Sequence, residues 1–213
     1  MAKRVLTGSD IEALPSGGEI VVPPGTIITE RAREIATERE IVIRTEGAAA
    51  DQSTGFATKS AASRVVAIGA DHGGFALKET LKRHLVDWGY EVRDLGTDSN
   101  QAVDYPDFAL AVAKAVACGE AWRGIMVDSV GIGSAMAANK VRGVRSAPCC
   151  DRATAHSSRE HNDANVLTLG GRMLRPDEAR EIMRVWLDTK FAGGHHQGRI
   201  DKITAFEKSG LMK

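Results

Sequence analysis

From residue 64 onward, short apolar runs alternate with longer segments of helical spacing, and this alternation restricts what the chain can fold into more than any other feature. Strand-like "RVVAIGA" (64–70) leads to a helical pattern over 74–88, then "YEVRDLG" (90–96) and a helix over about 106–118. "GIMVDS" (124–129) is followed by a helix over about 132–141, and "GVRSAPC" (143–149) by one over about 151–160. "NVLTLGG" (165–171) and a helix over about 177–189 complete the series. Strands without polar alternation, separated by helices, predict a parallel sheet buried on both faces. The expected fold is therefore α/β: a Rossmann-like three-layer α/β/α domain with a five-stranded parallel sheet.

Ahead of this series, "EIVVPPGTIITERAREIATEREIVIR" (19–44) offers a strand, a Pro-Pro-Gly turn, a helix opened by Thr29 as N-cap, and a second strand. Between it and Arg64 lies a small, polar stretch with neither hydrophobic period, composed as a flexible linker. The chain is divided accordingly: residues 1–45 form a small N-terminal α+β module, 46–63 the linker, and 64–213 the main domain. Such a short module has little core and is expected to pack on something else.

Twenty-eight basic residues balance 28 acidic ones, so no broad positive field exists for a polyanion and nucleic acid is not an expected partner. No stretch reaches the roughly 20 apolar residues of a membrane helix, and "MAKRVLTGSD" lacks the apolar core of a signal peptide. No membrane contact is expected, and a soluble, cytoplasmic location is. Cys118, Cys149 and Cys150 suit neither a disulfide framework nor a zinc site.

Ligands of parallel α/β sheets bind beyond the carboxyl ends of the strands. The unusual residues gather there: "GADHGGFALK", "DYPDFA", "GIGSAMAANK", "REHNDANVLTLGGR" and "GGHHQGRI". With these motifs in this order, residues 64–208 resemble the RpiB/LacA/LacB sugar-phosphate isomerases, the type B ribose-5-phosphate isomerases and their galactose-6-phosphate relatives. The resemblance implies interconversion of aldose and ketose phosphates, a pentose or tetrose phosphate as substrate, without metal or other cofactor. It also implies a homo-oligomer, dimer or tetramer, with active sites shared between subunits.

Moving a carbonyl from C1 to C2 needs a base, donors for the enediolate oxygen, a ring-opening group and a cationic clamp for phosphate. The usual family pattern at the third strand's end, Cys-Gly-Thr-Gly-x-Gly, is here "DSVGIG", so Asp128 stands at the cysteine position and Val130 at the threonine. Asp128 has two readings: a carboxylate base in place of the thiolate, or a stabiliser of the adjoining helix N-terminus. Some relatives carry a glutamate just after the second glycine, where this chain has Ser134. Backbone N–H groups of Gly131, Ile132 and Gly133, with the Ser129 hydroxyl, are the expected oxyanion donors.

By the same resemblance His161 is the ring-opening histidine, with Asn162 beside it and Asn139 near the pocket. Asp71 and His72 follow the first strand, where a phosphate or sugar hydroxyl is met, and Asp104 and Tyr105 lie in a turn reaching the sugar. "DYP" also serves as a plain helix start, with Pro106 in the first turn. The family's phosphate run carries two arginines; here His195 replaces the first, Arg199 keeps the second, and Arg172 matches a further family arginine. Two functions follow from these matches and departures. One is an isomerase with Asp128 as base; the other is a catalytically silent sugar-phosphate-binding or subunit-partner member.

Overall fold

The computed structural model describes residues 5–15, 17–39, 41–45 and 64–209. The chain divides into two compact units, residues 1–59 and 60–213. The linker expected over 46–63 lies outside the described residues.

The first unit runs β1 (Val5–Leu6), α1 (Gly8–Glu12), β2 (Glu19–Val22), β3 (Ile27–Ile28), α2 (Glu30–Glu38) and β4 (Val42–Thr45). β1 pairs with β3 and β2 with β4, both in parallel. Thr29 caps α2 as expected, its hydroxyl accepting the Ala32 N–H at 3.2 Å. Leu6, Ile11, Val22, Ala32, Ile35, Ala36 and Ile41 are buried together, so the module has a small core of its own.

The second unit continues with β5 (Val65–Ala70), α3 (Phe75–Asp87), β6 (Glu91–Asp94), α4 (Tyr105–Ala117), β7 (Arg123–Asp128) and α5 (Ile132–Ala138). It ends with β8 (Ser146–Pro148), α6 (Arg152–Glu160), β9 (Val166–Gly170), α7 (Pro176–Asp188) and α8 (His195–Lys208). Its five strands form one parallel sheet in the order β6-β5-β7-β9-β8. Helix α8 breaks with the sequence pattern: Ile200 is its one buried residue among those described, so no helical stripe marks it along the chain.

The central strands are apolar on both sides because both faces are covered. Leu77, Leu81, Ala155, Ile182 and Trp186 close one face over Ile68, Ile125 and Leu167; Val112, Ala113, Val116 and Ala138 close the other over Ala67 and Val166. Lys78, like Arg159, is a charged exception on the first of these covered sides. Its ammonium is fully buried and meets Asp94 at 2.6 Å and Glu79 at 3.0 Å. Burial opposes ionisation of Asp94, yet hydrogen bonds from Lys78 and Lys82 and the Gly96 N–H hold its carboxyl below the usual range. The result fixes the end of β6 and the loop beyond it. No helix among the described residues is long and apolar enough to cross a membrane.

Candidate active site

The chain leaves β5 for β6 on one side and returns to β7 on the other, so the crevice beyond β5 and β7 is the sheet's switch point. A cleft of about 200 Å³ opens there, lined by Asp71, Tyr105, Asp128, Ser129, Val130 and Gly133. Backbone bonds close the strand ends around it: Asp71 N–H donates to Val127 O, Gly171 N–H to Asp128 O, and Arg172 N–H to Ser129 O.

Asp128 ends β7 and is only 5% exposed. Its Oδ1 accepts the Val130 N–H at 2.7 Å and also the Gly131 N–H. Its Oδ2 accepts the Ser134 N–H at 3.0 Å and the Ser134 hydroxyl at 2.5 Å. A carboxylate has about four lone-pair sites, and all are engaged by the turn it opens. Gly131 makes that turn possible: its φ is +90°, in the region that only glycine enters without strain. The N–H groups of Ile132 and Gly133, in the first turn of α5, have no partner within the helix. Ser134, which sequence reasoning treated as the absence of a glutamate, is thus a principal partner of Asp128.

Asp71 is also 5% exposed. Its Oδ1 accepts the Gly74 N–H at 2.9 Å, while Oδ2 has no hydrogen-bond partner among the described residues. His72 turns away to the loop before α4, its Nδ1 lying 3.2 Å from Val103 O and 3.3 Å from Val103 N. Asp104 is the N-cap residue of α4 without a side-chain cap bond, and Pro106 sits in the first turn, so the helix-start reading of "DYP" holds.

The remaining expected residues lie elsewhere in this chain. His161 closes α6; its Nδ1 is 3.2 Å from the Ser157 hydroxyl and its Nε2 3.2 Å from Glu160 Oε2. The His196 ring stacks on it with centroids 4.4 Å apart, and His195 lies 3.9 Å from His196. Desolvation, followed by the charges of His195, His161 and Arg199, holds the His196 imidazole below the ordinary histidine range. Its neutral ring is the form that stacks without repulsion. His196, missed in the sequence because its neighbour His195 drew notice as the replacement of a family arginine, joins α8 to the expected ring-opening histidine.

Asn162, Arg172, His195 and Arg199 are exposed and do not line the cleft. Asn139 is drawn away from it: its amide donates to Ser146 O at 2.9 Å and accepts from Ser146 N at 2.8 Å, tying α5 to β8. No cysteine lines the cleft among the described residues. Cys149 is buried beside Ser158, and burial pushes its thiol up to about 11. Among the described residues no group of three or more His, Cys, Asp or Glu could hold a metal ion.

A doubly wound parallel domain with its polar cleft at the switch point matches, over residues 66–203, the family described as Ribose/Galactose Isomerase, and the chain belongs to it. Within that family it is similar to the type B sugar-phosphate isomerases. It is 45% identical over 143 residues to ribose-5-phosphate isomerase B of Escherichia coli, covering 67% of this chain and 96% of that one. It is 39% identical over 143 residues to the D-erythrulose-4-phosphate isomerase of Pectobacterium atrosepticum, covering 67% and 94%. The ribose-5-phosphate isomerase B structure of Clostridium thermocellum superposes with a TM-score of 0.67 at 49% identity, covering 68% and 98%.

Proposed function

We propose that this chain interconverts the aldose and ketose forms of a small sugar phosphate, a pentose or tetrose phosphate, through an enediolate formed beyond β5 and β7. The observation that carries this reading is the meeting of two buried carboxylates, Asp71 and Asp128, with Ser129 and Gly133 in one cleft of an isomerase-family chain. Asp128 stands where the family pattern has its cysteine, so a carboxylate of this pair takes the thiolate's part. The N–H groups of Ile132 and Gly133 hold the enediolate oxygen.

His161 opens the sugar ring, with Asn162, His72, Asp104 and Tyr105 on the sugar and Arg172, His195 and Arg199 on the phosphate. The absence of His161, Asn162, His195 and Arg199 from the cleft lining of one chain supports a homo-oligomer in which a second copy completes each site. Two facts agree with this. The cleft is smaller than the roughly 300 Å³ at which ligand pockets begin, and Val130 in its lining is exposed, as are Ile132 and Met136 of the helix that follows and Met173.

A panel of four- to six-carbon aldose and ketose phosphates in deuterated water, followed by NMR, tests the reaction. Deuterium is expected at the carbon next to the carbonyl together with the isomeric product; binding without exchange sinks the isomerase reading. That outcome is what a silent sugar-phosphate-binding member gives. One feature favours the silent reading: Asp128 already occupies the Gly131 N–H, one of the three backbone donors expected for a substrate oxyanion.

The N-terminal module is proposed to be dispensable for this chemistry, since the relatives above are matched over nearly their whole length by the second unit alone. A chain beginning at Ser63 is expected to keep its oligomeric state in light scattering and most of its turnover. Dissociation to monomers, or a folded but inactive product, places the module in the interface or the site.

A further inference from the structure

Resting on the isomerase reading above, we infer that Asp71, not Asp128, is the group that carries the proton between the two carbons, and that Asp128 is a positioning residue. The two carboxylates share one cleft and equal burial, yet their oxygens are spent differently. Asp128 accepts three backbone N–H groups and a hydroxyl, leaving no lone pair for a C–H bond. Protonating it would also unmake the turn that presents Ile132 and Gly133. Asp71, which lines the cleft, gives one oxygen to Gly74, which fixes the carboxylate, and leaves the other without a partner among the described residues.

Gly73 lets the Ser129 hydroxyl come up beside the Gly74-bound oxygen of Asp71. A Cβ there would lie 2.2 Å from Ser129 Oγ and 3.3 Å from Asp71 Oδ1, so only a bare backbone lets the hydroxyl and the carboxylate pack side by side. The step balances with these groups alone. Asp71 Oδ2 takes the proton from the hydroxyl-bearing carbon next to the carbonyl, and that C–H pair becomes the C–C double bond. The former carbonyl oxygen takes the charge and then a proton from the Ser129 hydroxyl, which is replenished from the neighbouring hydroxyl oxygen. Asp71 returns its proton to the other carbon as the new carbonyl forms. No oxidant, metal or second substrate is needed.

Asp71→Asn and Asp128→Asn separate the assignments when deuterium uptake, turnover and melting are measured on each. Asp71→Asn, whose amide oxygen still accepts from Gly74, is expected to melt as the parent does and to lose about 10²-fold or more in exchange at nearly unchanged KM. Asp128→Asn is expected to melt lower and lose about tenfold, the equivalent of one hydrogen bond. Asp71→Ser keeps a hydroxyl for Gly74 and leaves room for a small carboxylate. Added formate is expected to restore its exchange at least tenfold, a response that a purely structural residue does not give. The inference is overturned if formate restores nothing, or if Asp128→Asn suffers the large loss while Asp71→Asn keeps its exchange; the isomerase reading survives either result. A parent chain that exchanges no member of the panel overturns both.

Discussion

Asp128→Ala is expected to destabilise residues 60–213 by about 3 kcal/mol, because it strips a cap and leaves the N–H groups of Val130, Gly131 and Ser134 without their acceptor. Each buried donor left unpaired costs on the order of 1–3 kcal/mol, and water entering the cleft recovers part of it. For a domain of this size the loss corresponds to roughly 10 °C in melting temperature. Asp128→Asn should lose less, since its amide oxygen still serves Val130 and Gly131. Urea and thermal melts of both variants check this. A change below about 0.5 kcal/mol in Asp128→Ala, the range of an ordinary surface substitution, would show that the turn holds without the carboxylate and remove the reason for calling Asp128 structural.

Gly74→Ala is expected to have the largest effect on folding. A Cβ at Gly74 would lie 2.1 Å from Val127 O and 2.5 Å from Val127 C, both backbone atoms of the central strand β7. Neither can swing aside as a side-chain tip can, so α3 must lift from the sheet and carry the Gly74 bond to Asp71 with it. Overpacking of this kind costs about 1–3 kcal/mol or more, and here it falls where β5, β7 and β9 converge. Gly171 crowds the same point, with a Cβ 2.7 Å from Gly73 O. Soluble yield and melting temperature are the measurements, with Gly198→Ala as the comparison. Gly198 has nothing within 4 Å, and alanine in that helix should stabilise by about 0.5–1 kcal/mol. A Gly74→Ala protein that melts with the parent would mean that the helix and sheet are not packed as described.

Much of the fold is legible along the chain because burial repeats along it. β5, β7 and β9 are near-continuous apolar runs, and strands covered on both faces have no other composition. The Thr29 cap and the Pro106 helix start are equally local, each settled within a few residues. Helix α8 left no such trace, because a helix that buries one described residue needs no apolar stripe.

The candidate site divides in the same way. Strand and helix lengths along the chain set where the turns that carry Asp71 and Asp128 fall, at the ends of β5 and β7. By contrast "GGHHQGRI", expected beyond the strand ends as well, opens α8 and lines no part of the cleft. The sequence could not determine what Asp128 does at its turn, since base and cap are the same residue at the same position. Which lone pairs are occupied is fixed by the folded turn and by contacts between segments distant in the chain. That depends on the +90° φ of Gly131, on Ser134 returning from six residues ahead, and on β9 closing against β7. The same holds for His196 on His161 and for Asn139 turned to Ser146. Hydrogen bonds and ring contacts are fixed by angles and distances between segments far apart in the chain, and residue spacing records neither.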